Sequence, residues 1–263
     1  MDPRLPGWIL ADAANPLNQI ANMIPAGARV LDIGAGNGIL ALLLVAQGKK
    51  VDIDAVEPHP KAGELATPHY RSLFAGDLDA YLAQTDDSKE SYDFIVMADV
   101  LEHIAYPEPL LLQIKEYLVR DGLLVCSTPN IGYVNIRLQL LHGIFDYVDS
   151  GILERTHLRL YTLKTLSALF EATGWHPASR IDCVRDPLFA EPSIRALPFS
   201  PFSLARAWRD PLSRVFQFVF ALGRNSMPSM THTIAGDVRE GIFVRYCLNT
   251  MRTMLTPSLR GGA

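Results

Sequence analysis

A glycine-rich turn between two apolar strand segments constrains the fold of this chain more than any other feature. Residues 30–38 read Val-Leu-Asp-Ile-Gly-Ala-Gly-Asn-Gly, an apolar run that ends in three alternating glycines. An apolar segment of helical length follows at 39–47, and a second apolar strand at 51–56 ends in Glu57. A strand, a glycine turn, a helix and a second strand with a terminal acid about twenty residues on are typical of a nucleoside-binding α/β unit. The sequence therefore predicts a nucleoside-cofactor pocket at the carboxyl ends of parallel strands.

The spacing within the turn argues against a nicotinamide or flavin cofactor. The dinucleotide fingerprint is G-x-G-x-x-G, and its third glycine position is occupied here by the bulky Ile39. Asp32 lies two residues before the first glycine, where a carboxylate repels a pyrophosphate and favours a ligand with a cationic centre. A nicotinamide oxidoreductase is kept as the alternative.

The turn and several later segments resemble, in the same order, the class I S-adenosylmethionine-dependent methyltransferases. The later segments are Gly-Asp-Leu at 76–78 after a predicted third strand at 71–75, a fourth strand and loop at 92–103, and a turn and fifth strand at 121–130. Residues 155–162, Arg-Thr-His-Leu-Arg-Leu-Tyr-Thr, resemble a motif of a bacterial subgroup associated with polysaccharide and glycosyl-transfer loci. The resemblance covers roughly residues 28–184 and implies S-adenosylmethionine (SAM) as the cofactor.

The predicted fold is a Rossmann-like, doubly wound, mostly parallel seven-stranded sheet with an antiparallel edge strand and a helical lid insertion. Residues 1–185 and 238–255 are expected to form the methyltransferase domain, 186–237 the inserted lid on the acceptor side, and 256–263 a flexible tail. Helices are predicted at 11–24, 108–119 and 163–173, and late strands at 179–184 and 241–248. The basic and aromatic stretch at 203–220 is interpreted as the lid, with contact to a membrane surface as the alternative.

The composition of the chain restricts its possible substrates and its cellular location. A hydrophobic content of 49% supports a sizeable core, and a formal net charge of −4 argues against a nucleic-acid substrate. Three widely spaced cysteines predict reduced core thiols. The N-terminal prolines do not fit a signal peptide, and no apolar run reaches the roughly eighteen residues of a transmembrane helix. We therefore expect a cytoplasmic protein; the sequence leaves the oligomeric state open.

The resemblance also implies which residues contact the cofactor. Glu57 is expected to accept hydrogen bonds from the ribose hydroxyls, and Asp32 to lie near the amino group or sulfonium of SAM. The full predicted set is Asp32, Gly34, Ala35, Gly36, Gly38, Glu57, Asp77, Leu78, Ala98 and Asp99.

Two histidines are the candidate catalytic residues. A hydroxyl acceptor needs a base as its bond to the methyl group forms, and His103 and His157 lie in segments predicted to meet at the carboxyl edge of the sheet. Which of the two acts is left open. The predicted acceptor-side residues are Asn130, Tyr133, Arg155 and Arg159. No metal site is predicted, because the histidines and cysteines do not recur at ligand spacing.

The favoured function is methyl transfer from SAM to a hydroxyl of a sugar or glycoconjugate intermediate. One alternative is O- or N-methylation of a small metabolite such as a quinone precursor or natural product. Another is a catalytically inactive, cofactor-binding partner protein.

Overall fold

The computed structural model describes residues 4–84, 90–185, 209–225 and 229–236 of the 263-residue chain. The described residues contain one eight-stranded sheet in the order β3-β2-β1-β4-β5-β7-β6-β8. Within it β7 pairs antiparallel with both β5 and β6, and the remaining pairs are parallel. The strands are β1 Arg29–Ile33, β2 Asp52–Glu57, β3 Ser72–Ala75, β4 Tyr92–Ala98, β5 Leu118–Pro129, β6 His176–Val184, β7 Val215–Gly223 and β8 Thr231–Ala235.

Helices cover both faces of this sheet. They are α1 Leu5–Ala11, α2 Pro16–Met23, α3 Ile39–Ala46, α4 Pro60–Ala66, α5 Leu78–Gln84, α6 Pro107–Gln113, α7 Val134–Leu141 and α8 Leu163–Ala172. One core layer contains side chains of α5, α6 and α8, and the other contains side chains of α2, α3 and α4. In β1, Leu31 packs into the first layer and Val30 into the second, as expected for a parallel strand buried on both faces. The predicted doubly wound, mostly parallel fold is confirmed.

Local sequence signals explain where several helices begin and end. Asn15 caps α2 by accepting a hydrogen bond from the Leu17 amide, and Pro16 occupies the first turn, so the helix predicted at 11–24 begins only at Pro16. The helix predicted at 108–119 ends early, because β5 already begins at Leu118. The helix α8 matches its prediction and is followed by Gly174 in the left-handed region.

The largest difference from the sequence prediction concerns the segment expected to form the lid. The predicted lid spans 186–237, whereas Val215–Gly223 is the fully buried strand β7 and Thr231–Ala235 is the edge strand β8. Phe218 and Val219 pack into opposite core layers, so both faces of β7 are apolar. A continuous apolar run of this kind does not distinguish a buried strand from a helix by its periodicity. Residues 186–208 and the strand predicted at 241–248 lie outside the described residues.

The described sheet also has eight strands where seven were predicted, and its antiparallel strand β7 lies between β5 and β6, with β8 outermost. None of the helices in the described part of the chain is long and apolar enough to cross a membrane.

Candidate active site

The glycine turn after β1 is attached to the end of β2. The amides of Gly34 and Ala35 donate to the carbonyl of Val56 at 2.8 and 3.3 Å. Gly34 has a φ of +74°, and a Cβ at this position would lie 2.6 Å from Val100 Cγ2. Neither the backbone conformation nor the available space accepts a side chain there, so the first glycine of the motif is required by the fold.

The carboxylate of Glu57 organises the same turn. Oε2 accepts from the Gly36 amide and Oε1 from the His59 amide, both at 2.7 Å. A carboxylate offers about four acceptor positions, so two are left for a ligand. A Cβ built on Gly36 would meet no atom of the described residues within 4 Å, apart from its chain neighbours. An acceptor pair beside open backbone is suited to the diol of a ribose.

Asp32 lies beneath this turn in an environment that disfavours its charge. It is buried, and its Oδ2 accepts a 2.5 Å hydrogen bond from the Tyr70 hydroxyl. Burial raises the pKa of Asp32 to about 7; the Tyr70 hydrogen bond opposes this rise and the Glu57 charge adds to it. A cationic group bound nearby would favour the ionised form. Sequence reasoning missed Tyr70, because no spacing rule connects it to Asp32.

The other predicted cofactor residues lie at the carboxyl ends of β3 and β4. Asp77 is exposed, and its Oδ1 accepts from the Ala80 amide at 2.8 Å at the start of α5. Leu78 is half-buried against the core beside it, and Ala98 ends β4. Their positions at one edge of the sheet are compatible with the predicted adenine contacts.

Asp99 connects the ends of three strands. Its φ is +54°, and its amide donates to the Ser127 carbonyl at 3.2 Å. Its Oδ1 accepts from the Ser127 hydroxyl at 2.6 Å and from Gln217 Nε2 at 2.9 Å. Burial raises the pKa of Asp99, and these two hydrogen bonds oppose the rise. Gln217 belongs to β7, so a residue of the expected lid borders the site from within the sheet.

The two candidate histidines are in contact. Their ring centroids are 4.8 Å apart in an edge-to-face arrangement. His157 reaches this position because the backbone carbonyl of Glu102 accepts from the amides of Leu158 and Arg159 at 2.7 and 3.0 Å. These bonds dock the loop after α7 onto the end of β4.

Backbone carbonyls orient both imidazoles. Nδ1 of His103 lies 3.2 Å from the Thr156 carbonyl, and Nδ1 of His157 lies 3.0 Å from the Ile152 carbonyl. A carbonyl only accepts, so in the neutral form of each ring Nδ1 carries the proton and Nε2 has the lone pair. His157 is buried and His103 is exposed.

Glu102 completes a cluster that sequence reasoning did not recognise. Its side chain is 1% exposed, and neither carboxylate oxygen has a hydrogen-bond partner among the described residues. The Thr128 hydroxyl lies nearby but outside hydrogen-bond geometry. Burial, reinforced by the charge of Asp99, raises the pKa of Glu102 to about 9. We refer to Glu102, His103 and His157 together as the Glu–His–His cluster.

The Glu–His–His cluster opens into a cavity of about 160 Å³. The cavity is also bordered by Asp99, Glu154, Phe216 and Gln217. Its walls therefore combine three acids, two imidazoles and an aromatic ring beside the carboxyl end of β4.

The predicted acceptor-side residues are placed elsewhere or already engaged. Asn130 donates to the carbonyls of Leu212 and Val215 and accepts from the Gly132 amide, so it fastens the start of β7. Tyr133 is fully buried and donates to the Arg185 carbonyl at 3.1 Å.

The two predicted arginines also have partners outside the cavity. Arg155 pairs with Asp149 at 3.1 Å, and both side chains are largely exposed. Arg159 donates to the Ala105 carbonyl at 2.8 Å and lies between α6 and α8. The proposed acceptor site therefore does not include Asn130, Tyr133, Arg155 or Arg159.

Comparison with known proteins agrees with this fold. Residues 8–179 match a family model described as a methyltransferase domain. The chain therefore belongs to that methyltransferase family and is an enzyme.

The individual proteins that resemble this chain have low sequence identity to it. A ubiquinone biosynthesis O-methyltransferase of Dinoroseobacter shibae is 28% identical over 175 residues, which are 64% of this chain and 68% of that protein. A SAM-dependent methyltransferase structure from Archaeoglobus fulgidus has a TM-score of 0.56 at 17% identity, covering 80% of this chain and 91% of the other. Phosphoethanolamine N-methyltransferase 2 of Haemonchus contortus, solved in complex with S-adenosyl-L-methionine, has a TM-score of 0.51 at 15% identity, covering 84% and 52%.

Replacing Glu57 tests the ribose side of the site. We expect Glu57→Ala to weaken S-adenosylhomocysteine binding by about 1.5–3 kcal/mol, the range for a hydrogen bond to a charged group. Calorimetric titration measures the change, with Glu64→Ala on the exposed face of α4 as the control. An unchanged affinity in Glu57→Ala would remove Glu57 from the ribose site.

Asp32 predicts a pH dependence of cofactor binding. Its pKa of about 7 lies above the ordinary 3.8, so the carboxyl loses its proton as the pH rises from 6 to 8. Because SAM is cationic, its affinity should rise over this interval, by up to roughly tenfold if only the ionised form binds. In Asp32→Asn the affinity should vary less with pH. An identical pH profile in both proteins would contradict this role.

Proposed function

We propose that this protein methylates a hydroxyl group of an uncharged small molecule held against the Glu–His–His cluster. The observation that carries the proposal is the contact between His103 and His157 beside the carboxyl end of β4. Open α/β sheets bind their ligands at this edge, so the donor and acceptor sides of the reaction would adjoin there.

The residues of the cavity suit the transfer chemistry. SAM supplies a methyl group on a positively charged sulfur, and the attacking hydroxyl must lose its proton as the new bond forms. In its neutral form, each of His103 and His157 would offer the Nε2 lone pair to that proton, since Nδ1 donates to a carbonyl. The open cavity and the two imidazoles also argue against the alternative that this chain is a catalytically inactive, cofactor-binding partner protein.

The charges around the cavity restrict the acceptor. Asp99 and Glu154 border it, whereas Arg155 and Arg159 have partners elsewhere. This distribution favours a neutral acceptor over a phosphorylated one. The volume of about 160 Å³ is below the roughly 300–1,000 Å³ of complete ligand pockets, so it suits the reacting ring only.

Two acceptor classes fit such a cavity. The motif at 155–162 led to a sugar or glycoconjugate hydroxyl. The relative named ubiquinone biosynthesis O-methyltransferase, together with the aromatic wall at Phe216, favours a phenolic hydroxyl of a quinone precursor. We propose the phenolic acceptor first and the sugar second.

An acceptor screen tests the proposed function. The rate of S-adenosylhomocysteine formation should rise with hydroxylated phenols or neutral sugars, and product mass should identify methylation on oxygen. His157→Gln should lower the turnover number by about 100-fold or more while leaving the affinity for SAM within twofold. His176→Gln at the exposed start of β6 is the matched control. Undiminished turnover in His157→Gln, or methylation on nitrogen alone, would contradict the proposal.

A further inference from the structure

We propose that the Glu–His–His cluster is the binding site of a divalent transition-metal cation whose open position faces the acceptor cavity. The proposal that a cation binds is argued from the residues of the cluster alone. The proposal that this cation holds the oxygen of the acceptor rests on the function proposed above.

The donor atoms are already grouped. One ligand-type atom each of Glu102, His103 and His157 lies within 4.8 Å of the other two. Ligands at about 2.1 Å from one tetrahedral ion are about 3.4 Å apart, so each of these atoms has to move by up to roughly 1 Å to reach bonding distance. His103 is exposed and has room for such an adjustment.

The orientation of the two imidazoles supports a metal site independently of the distances between the donor atoms. Metal-bound histidines generally donate their second ring N–H to a carbonyl or carboxylate, which fixes the tautomer and leaves the other nitrogen for the metal. Both rings already have this arrangement, with Thr156 and Ile152 as the carbonyl partners.

The side chain of Glu102 gives the strongest indication of a missing positive charge. It is 99% buried, its two oxygens lack hydrogen-bond partners among the described residues, and one of them lies within 4.8 Å of a ring nitrogen of each histidine. Buried carboxylates are normally hydrogen-bonded, paired with a cation or bound to a metal. A divalent ion would satisfy Glu102 and both imidazoles together.

The chemistry of the donor set restricts the ion. Two imidazole nitrogens and one carboxylate oxygen suit zinc, cobalt, manganese or iron(II), whereas magnesium and calcium prefer oxygen ligands throughout. Three protein ligands leave at least one open position, as in catalytic metal sites. The cavity of about 160 Å³ adjoins that position, and the carboxylate of Glu154 also borders it.

A cation there would change how the acceptor is activated. Coordination of the acceptor hydroxyl to the metal would lower the pKa of that hydroxyl, and its proton would leave to water. The oxygen lone pair would then form the new carbon–oxygen bond as the carbon–sulfur bond breaks, releasing S-adenosylhomocysteine. His103 and His157 would act as ligands and the cation would replace them as the activating group.

The test is a cobalt(II) titration of the untagged, full-length protein after removal of metals with a chelator. Visible absorption reports cobalt coordination without any need for cofactor or acceptor. We expect one equivalent of Co²⁺ to bind and to be displaced by Zn²⁺. Glu102→Gln and His157→Gln should each weaken binding by about 100-fold or more, because each removes a ligand. His176→Gln should bind as the unaltered protein does.

Two results would overturn the proposal. One is no stoichiometric Co²⁺ or Zn²⁺ binding by a protein whose circular dichroism and S-adenosylhomocysteine affinity show it to be folded. The other is binding that persists in both Glu102→Gln and His157→Gln. Methyl transfer at full rate in excess chelator would overturn the role of the cation while leaving the proposed function intact. Failure of the acceptor screen would leave the metal titration unaffected, so the two proposals fail separately.

Discussion

The backbone carbonyl of Glu102 holds the reactive side of this molecule together. By accepting from the amides of Leu158 and Arg159, it docks a loop that follows α7 onto the end of β4. This contact brings His157 to His103 across more than fifty residues of sequence and walls the acceptor cavity. On the cofactor side, the Glu57 carboxylate has the corresponding role, since it fixes the glycine turn to the end of β2.

Both halves of the site contain a buried carboxyl group that forms no ion pair with a lysine or arginine among the described residues. Burial is the main cause of the raised pKa of Asp32, to about 7, and of Glu102, to about 9. Such groups are costly to keep unless a ligand compensates for them. In the proposed complex the positive charge of SAM would provide that compensation beside Asp32, and a divalent cation would provide it at Glu102. Both halves of the site would then bind a positively charged group.

The residues predicted to bind the cofactor have fixed spacing around one turn, and the structure brings two of them, Gly36 and Glu57, into direct contact. Their contacts with the cofactor stay a prediction. The acceptor half depends on tertiary contacts with no such spacing. His103 and His157 were identified separately, but their contact with Glu102 arises from loop docking. Gln217 was missed because the apolar run of β7 has no periodicity that separates a buried strand from a helix.

The most direct test of this account is a crystal structure of the protein with S-adenosylhomocysteine. The account predicts that Glu57 accepts hydrogen bonds from the ribose hydroxyls and that the sulfur faces the cavity formed by the Glu–His–His cluster. A complex in which the sulfur points away from His103 and His157 would contradict the central claim that this cavity is where the methyl group is transferred.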